Sequence, residues 1–152
     1  MIDYMKYKLR KFVFSIGCWS QWQIEISAIR LATTEFTVSF SQLFLDIDEK
    51  TLHITLSEWT KLSDAIIKSG VLKWKKEYYA PVLDGVSWML KMEYDSDSDG
   101  PASFFITGNN AYPASWDKFV SALQNINFND PNITIALARL TYKNLAERDG
   151  LC

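Results

Sequence analysis

Histidine is almost missing from this chain: His53 is the only one in 152 residues. A Ser–His–Asp triad needs an imidazole as its base near neutral pH, and zinc sites commonly use one as a ligand. His53 falls on the polar side of an alternating Leu52/Ile54/Leu56 segment, which places it at a surface. Cysteine is nearly as scarce. Cys18 and Cys152 are too few for a disulfide scaffold. Cys18, near Ile16, Trp19 and Trp22, reads as a buried, inert thiol rather than a nucleophile paired with His53. No glycine-rich loop precedes a helix and no nucleophile elbow is present, so phosphate-loop and α/β-hydrolase chemistry have no footing.

Long apolar runs are also lacking. Nothing approaches 18 consecutive apolar residues, and Met1 to Arg10 carries charges where a signal peptide needs an apolar stretch. Asn132-Ile133-Thr134 has glycosylation spacing, which means little without a secretion signal. The expected compartment is the cytoplasm. Charge of one sign is missing too: 16 basic against 18 acidic residues leave a net charge of −2. Phosphate-driven nucleic-acid binding needs a basic excess. Basic residues do gather at Lys6, Lys8, Arg10 and Lys11 and at Lys73, Lys75 and Lys76. Solvated strand faces account for both groups; a small patch for an acidic partner is the alternative. The expected partner is another protein, with no nucleic acid, no membrane, no metal and no cofactor.

Aromatic residues are plentiful: Trp 6, Tyr 7 and Phe 9. Each large apolar side chain that is buried contributes roughly 1.5–3 kcal/mol, so a sizeable core is available. The length fits one domain spanning 1–152, and no linker or low-complexity stretch divides it.

Period-two alternation dominates the first third: Phe12/Phe14/Ile16, Trp22/Ile24/Ile26, Phe36/Val38/Phe40 and Leu52/Ile54/Leu56. Strands with one dry and one wet face belong to antiparallel sheets. A helix is predicted from Glu58 to Ser69, capped by Ser57 and ended by Gly70, with Trp59, Leu62, Ala65 and Ile66 on one face. Val71 to Tyr79 reads as a strand. Trp88/Leu90/Met92/Tyr94 and Phe104/Ile106 read as a hairpin, followed by a helix from Ala114 to Asn125. Residues 131–145 are ambiguous, and Ile133-Thr134-Ile135 tilts them towards a strand. The two helical segments echo each other around Trp59 and Trp116, as a duplicated unit or two sheet-packed helices would. The fold class is therefore α+β: a mainly antiparallel twisted sheet with at least two helices packed on one face.

Few residues carry chemistry. Asp95, Asp97, Asp99 and Gly100 have the spacing of half a calcium loop, but Ile106 stands where the bidentate glutamate belongs. An exposed turn explains them. Asp84, Glu93 and Asp95 could converge as carboxylates around the hairpin, a requirement that distance alone decides. Five tryptophans fall in periodic segments and read as core. Trp19, beside Gly17 and Ser20, is the best candidate for an exposed stacking ring.

The stretch Trp74, Tyr78, Leu83-Asp84-Gly85, Trp88, Leu90, Tyr94, Gly108, Asn110-Ala111-Tyr112-Pro113, Trp116 and Phe119 resembles an uncharacterised group of small bacterial proteins with DG-x-x-W and G-x-N-A-Y-P segments. The resemblance covers about a third of the chain, implies a bacterial protein, and carries no activity with it. Physically, Gly108 and Asn110 suit a strand-to-helix corner, and Pro113 suits a helix start. The alternative is a shallow ligand pocket lined by Asp84, Trp88, Asn110 and Tyr112. Function is expected to be non-enzymatic protein interaction, with an immunity-type inhibitor of a bacterial toxin and a small-molecule binder at the Gly108–Pro113 corner as alternatives.

Overall fold

Alternating segments become strands wherever one face can be kept dry. A computed structural model describes residues 7–18, 21–43, 49–81, 85–96 and 100–147. Its strands are β1 (Tyr7–Cys18), β2 (Trp22–Ala32), β3 (Glu35–Leu43), β4 (Lys50–Ile54), β5 (Glu77–Tyr79), β6 (Val86–Ser96) and β7 (Gly100–Asn109). Its helices are α1 (Leu56–Lys68), α2 (Trp116–Gln124), α3 (Pro131–Ala138) and α4 (Tyr142–Glu147). The strands form a 7-stranded sheet in the order β4-β3-β2-β1-β6-β7-β5. Every neighbouring pair is antiparallel except β5, which joins β7 in parallel. The fold is α+β.

Register explains the core. Phe40, Ile26, Phe14, Leu90 and Ile106 stand opposite one another across five strands, and all five are buried. The helices cover that row. The Phe119 ring of α2 lies 5.1 Å from Phe14, the Trp59 ring of α1 lies 5.2 Å from Phe36, and Phe128 lies 5.8 Å from Phe40. Helices with one apolar stripe and strands with one apolar side yield two layers. Trp59 and Trp116 thus occupy similar places at the starts of two sheet-packed helices.

Four sequence expectations change. The cap of α1 is Thr55, not Ser57. Its hydroxyl accepts from the Glu58 amide at 3.1 Å, and the Glu58 carboxylate accepts from the Thr55 amide at 3.2 Å. That reciprocal pair is a capping box, and Thr55-x-x-Glu58 was the spacing to weigh. Val71 to Tyr79 is not one strand: Val71–Lys73 forms a 3₁₀ turn and only Glu77–Tyr79 pairs. Gly70 at φ 93° turns the chain, and the Trp74 indole donates to the Ser115 hydroxyl at 2.8 Å, which ties that segment to the helical layer.

Residues 131–147 are helical, not extended. Asp130 caps α3 by accepting from the Asn132 amide, with Pro131 in the first turn. Ile133, Ala136, Leu137 and Leu140 are all buried, and that helical spacing outweighs the β-branched Ile133-Thr134-Ile135. Finally, Cys18 is buried as expected but is disulfide-bonded rather than a free thiol. Its partner lies outside the described residues.

Candidate functional site

Among the described residues, the helices pack against one side of the sheet, and the other side carries mostly half-buried and exposed residues. On that side the pleat presents Ile29, Lys11 and Glu93 in one row, Ser27, Val13, Lys91 and Phe105 in the next, and Glu25, Ser15, Met89 and Thr107 in a third. Ser39, Ser41 and the buried Thr37 continue it onto β3, and His53 stands opposite Thr37 on β4. His53 is exposed, as its place in the alternation implies. Phe105, on β7 near one end of the sheet, is 54% exposed. Small hydroxyl side chains and charged residues of both signs surround the few apolar ones.

The corner after β7 is built differently. Asn110 adopts φ 55°, and its side-chain oxygen accepts from the Val86 amide at 2.7 Å. The Asn110 amide donates back to the Val86 carbonyl at 2.9 Å. The Trp88 indole donates to the Ala111 carbonyl at 3.0 Å, and Trp88 is buried. Two glycines make room: a Cβ on Gly85 would overlap the Asn110 amide, and one on Gly108 would overlap the Trp88 indole. Pro113 is buried, and the half-buried Tyr112 ring packs 4.8 Å from Trp116 and 5.9 Å from Tyr142. Trp88, Asn110 and Tyr112 are thus gathered at one corner, with the Asn110 oxygen and the Trp88 N–H engaged by backbone. Asp84 lies outside the described residues.

A cleft of about 300 Å³ opens between the β3–β4 end of the sheet and the helical layer. Val38, Leu52, Ile54, Leu62, Ala65 and Ile126 form its apolar wall. Glu58 and Lys61 from α1 and Asn125 and Asn127 beyond α2 supply its polar lining. A smaller cavity of about 160 Å³ lies between Trp22, Ile24 and Gln42 on the sheet and Ala136, Arg139 and Leu140. Gln42 continues the inward row of Phe36, Val38 and Phe40, where an apolar residue would be expected. Its Oε1 is buried and has no hydrogen-bond partner among the described residues. An unmatched buried acceptor costs about 1–3 kcal/mol. Gln42→Leu is therefore expected to raise stability by about 1 kcal/mol, read as a higher urea midpoint with an unchanged m-value. A lowered midpoint would count against it.

Of the remaining carboxylate candidates, Asp95 and Glu93 are described. Asp95 accepts from Arg30 at 3.1 Å and pairs with Arg10 at 3.7 Å, which occupies it as an ion-pair partner. Glu93 lies on the open face opposite Lys11 and Ser103. Asp97, Asp99 and Trp19 lie outside the described residues. Among the described residues, no group of three or more His, Cys, Asp or Glu side chains could hold a metal ion. Trp59, Trp88 and Trp116 are buried, while Trp22 and Trp74 are half-buried. Among the described residues no helix is long and apolar enough to cross a membrane.

Compared with known proteins, the chain matches no family model and no curated sequence. The sequence reading missed the open face as a site because face identity depends on where helices land. It missed the cleft because β4 was not known to end the sheet.

Proposed function

We propose that this chain is a non-enzymatic protein-interaction domain whose contact surface is the helix-free face of the sheet. The observation that carries the reading is a sheet side on which no described helix packs, with half-buried Val13, Ile29 and Met89 and exposed Phe105 set among hydroxyl and charged residues. Interfaces combine an apolar centre with a polar rim. Strand spacings of about 4.8 Å make such a face roughly 29 Å wide, giving an area on the order of 800 Å², the size one partner contributes to a standard complex.

A bacterial origin and the narrower role of an immunity-type toxin inhibitor belong to the same proposal, since blocking a partner needs a surface and no chemistry. The test is capture from the native host with the wild-type chain and with Phe105→Glu, an exposed change that leaves the core alone. A partner recovered by the wild type and lost with the variant supports the reading; equal recovery, or none, ends it.

The proposed compartment is the cytoplasm, yet a disulfide at Cys18 is a feature of oxidising compartments. Thiol titration of the denatured protein, alkylated on isolation from its host, decides the matter. Two free thiols place it in a reducing compartment, and none places it in an oxidising one.

A further inference from the structure

Gln42 interrupts an otherwise apolar row. It stands opposite Ile24 on β2, which faces Ile16 on β1, which faces Trp88 on β6; all three are buried. Gln42 itself is 9% exposed, and its Oε1 has no hydrogen-bond partner among the described residues. Buried polar groups are ordinarily bonded, so an orphan in this position calls for a physical reason. The cavity of about 160 Å³ opens at this side chain, between the end of β3 and the C-terminal end of α3.

The polar side chains around that cavity are all uncommitted. Gln21, Trp22, Gln42 and Arg139 line it, and among the described residues none of these side chains makes a hydrogen bond or ion pair. Trp22 also has no described ring against it, whereas Trp59 packs on Phe36, and Trp74, Trp88 and Trp116 pack on one another. The Gly108–Pro113 corner is the opposite case, with the Asn110 oxygen and the Trp88 N–H bonded to backbone. Depth sorts the groups: Gln42 is buried, Trp22 half-buried, and Gln21 and Arg139 exposed. Ile24, Ala136 and Leu140, all buried, supply an apolar wall. Unengaged polar groups converging beside apolar walls are what a small-molecule site requires.

We infer that this cavity binds a small aromatic carboxylate that carries a hydroxyl or amino group on its ring. An apolar cavity of about 150 Å³ accepts a benzene ring, so the ring fills the space beside Trp22, Ala136 and Leu140 and the carboxylate stays at the mouth. There Arg139 supplies a planar fork of donors that matches a carboxylate. The ring's hydroxyl or amino group is the donor that Gln42 lacks. The Gln42 amide turns at little cost about its last torsion, which brings Oε1 round to accept from that group. Water fits less well: a buried water needs about two to four polar partners, and the Ile24, Ala136 and Leu140 side chains offer none. The cavity lies on the helix-covered side of the sheet, apart from the surface proposed for protein contact.

The test is isothermal titration calorimetry of the full chain with para-hydroxybenzoate, benzoate and para-hydroxybenzamide. The first should bind saturably. Losing the ring hydroxyl, as in benzoate, or the charge, as in the amide, should weaken binding about tenfold, the effect of one hydrogen bond to a buried or charged group. Arg139→Gln, an exposed change, should bring para-hydroxybenzoate down to the affinity of the amide. Gln42→Leu should bring it down to the affinity of benzoate while raising the urea midpoint, because a polar group kept for a ligand costs stability. Phe105→Glu, on the other side of the sheet, should leave all three affinities unchanged. The idea is overturned if no member of the panel binds, which leaves the cavity to water, or if para-hydroxybenzoate binds Arg139→Gln and Gln42→Leu as tightly as the wild type. Should Gln42→Leu misfold, Arg139→Gln and the comparison of the three ligands decide the matter. Host-partner capture reads the opposite face, so either reading can fail without the other.

Discussion

Trp116→Ala is expected to cost about 3–5 kcal/mol, the range for deleting a large buried ring, a large share of the stability of the fold. Natural domains hold only about 5–15 kcal/mol in total. Trp116 is 1% exposed, and its ring is the centre of an aromatic cluster. Tyr112 lies at 4.8 Å, Trp88 at 4.9 Å, Phe14 at 5.7 Å, Phe119 at 6.0 Å and Trp74 at 6.1 Å. Rings on β1, β6, α2, the segment before β5 and the corner after β7 therefore meet at one side chain, and none of them can collapse fully into the space left. The indole N–H adds a second loss, because it donates to the Leu140 carbonyl at 2.8 Å just beyond α3. Trp116→Phe separates the two terms: it keeps part of the packing, drops the hydrogen bond, and should cost about half as much. Far-UV circular dichroism through a urea titration measures both. A loss below about 1 kcal/mol for the alanine variant would mean the cluster is not where stability resides.

Much of this was legible in the sequence, for a physical reason. A sheet with helices on one side only imposes clean alternation, and β1, β2, β3, β4 and β6 carry it in residues such as Phe12/Phe14/Ile16 and Trp88/Leu90/Met92. α1 and α2 announced themselves through Trp59, Leu62 and Ile66 and through Trp116, Phe119 and Leu123. α3 did not. Its Ile135 points outward at 53% exposure, so the run Ile133-Thr134-Ile135 has the look of a strand, and the Asp130 cap with packing under Gln124 and Trp116 decides for a helix. Gln124 donates to the Leu137 carbonyl at 3.3 Å, a contact no local rule contains. β5 was illegible in extent because three residues pair in parallel with β7, and that pairing is long-range. For the candidate sites, the residues at the Gly108–Pro113 corner could be picked out, but whether their polar groups were free could not. The position of β4 at the end of the sheet, on which the cleft depends, follows from strand order, which alternation never encodes. The disulfide at Cys18 was hidden for the same reason, since pairing in space cannot be read from a cysteine count.

Gly108→Val is expected to cost about 3 kcal/mol or more, at the upper end of what overpacking does. Gly108 stands opposite Trp88 on β6 and opposite Tyr78 on β5. Even a single Cβ there would overlap the Trp88 indole, and valine adds two further methyl groups. A flexible neighbour could yield, but this ring has nowhere to go. Its N–H is held by the Ala111 carbonyl, and Trp116 at 4.9 Å, Trp74 at 5.8 Å and Tyr78 at 6.0 Å hem it in. Relief requires β7 to move away from β6, which breaks the corner that Asn110 and Val86 close. The mechanism makes a sharper claim than loss of stability, namely that the penalty belongs to the pair. In a Trp88→Leu background, where the six-membered ring and N–H are gone, Gly108→Ala should cost at least 1 kcal/mol less than it does in the wild type, within the range measured for residues in direct contact. Thermal melts suffice to see it, because at this chain length 1 kcal/mol moves the midpoint by roughly 2–4 °C. Additive costs in the double variant would show that the glycine is required by the backbone and not by the ring it accommodates.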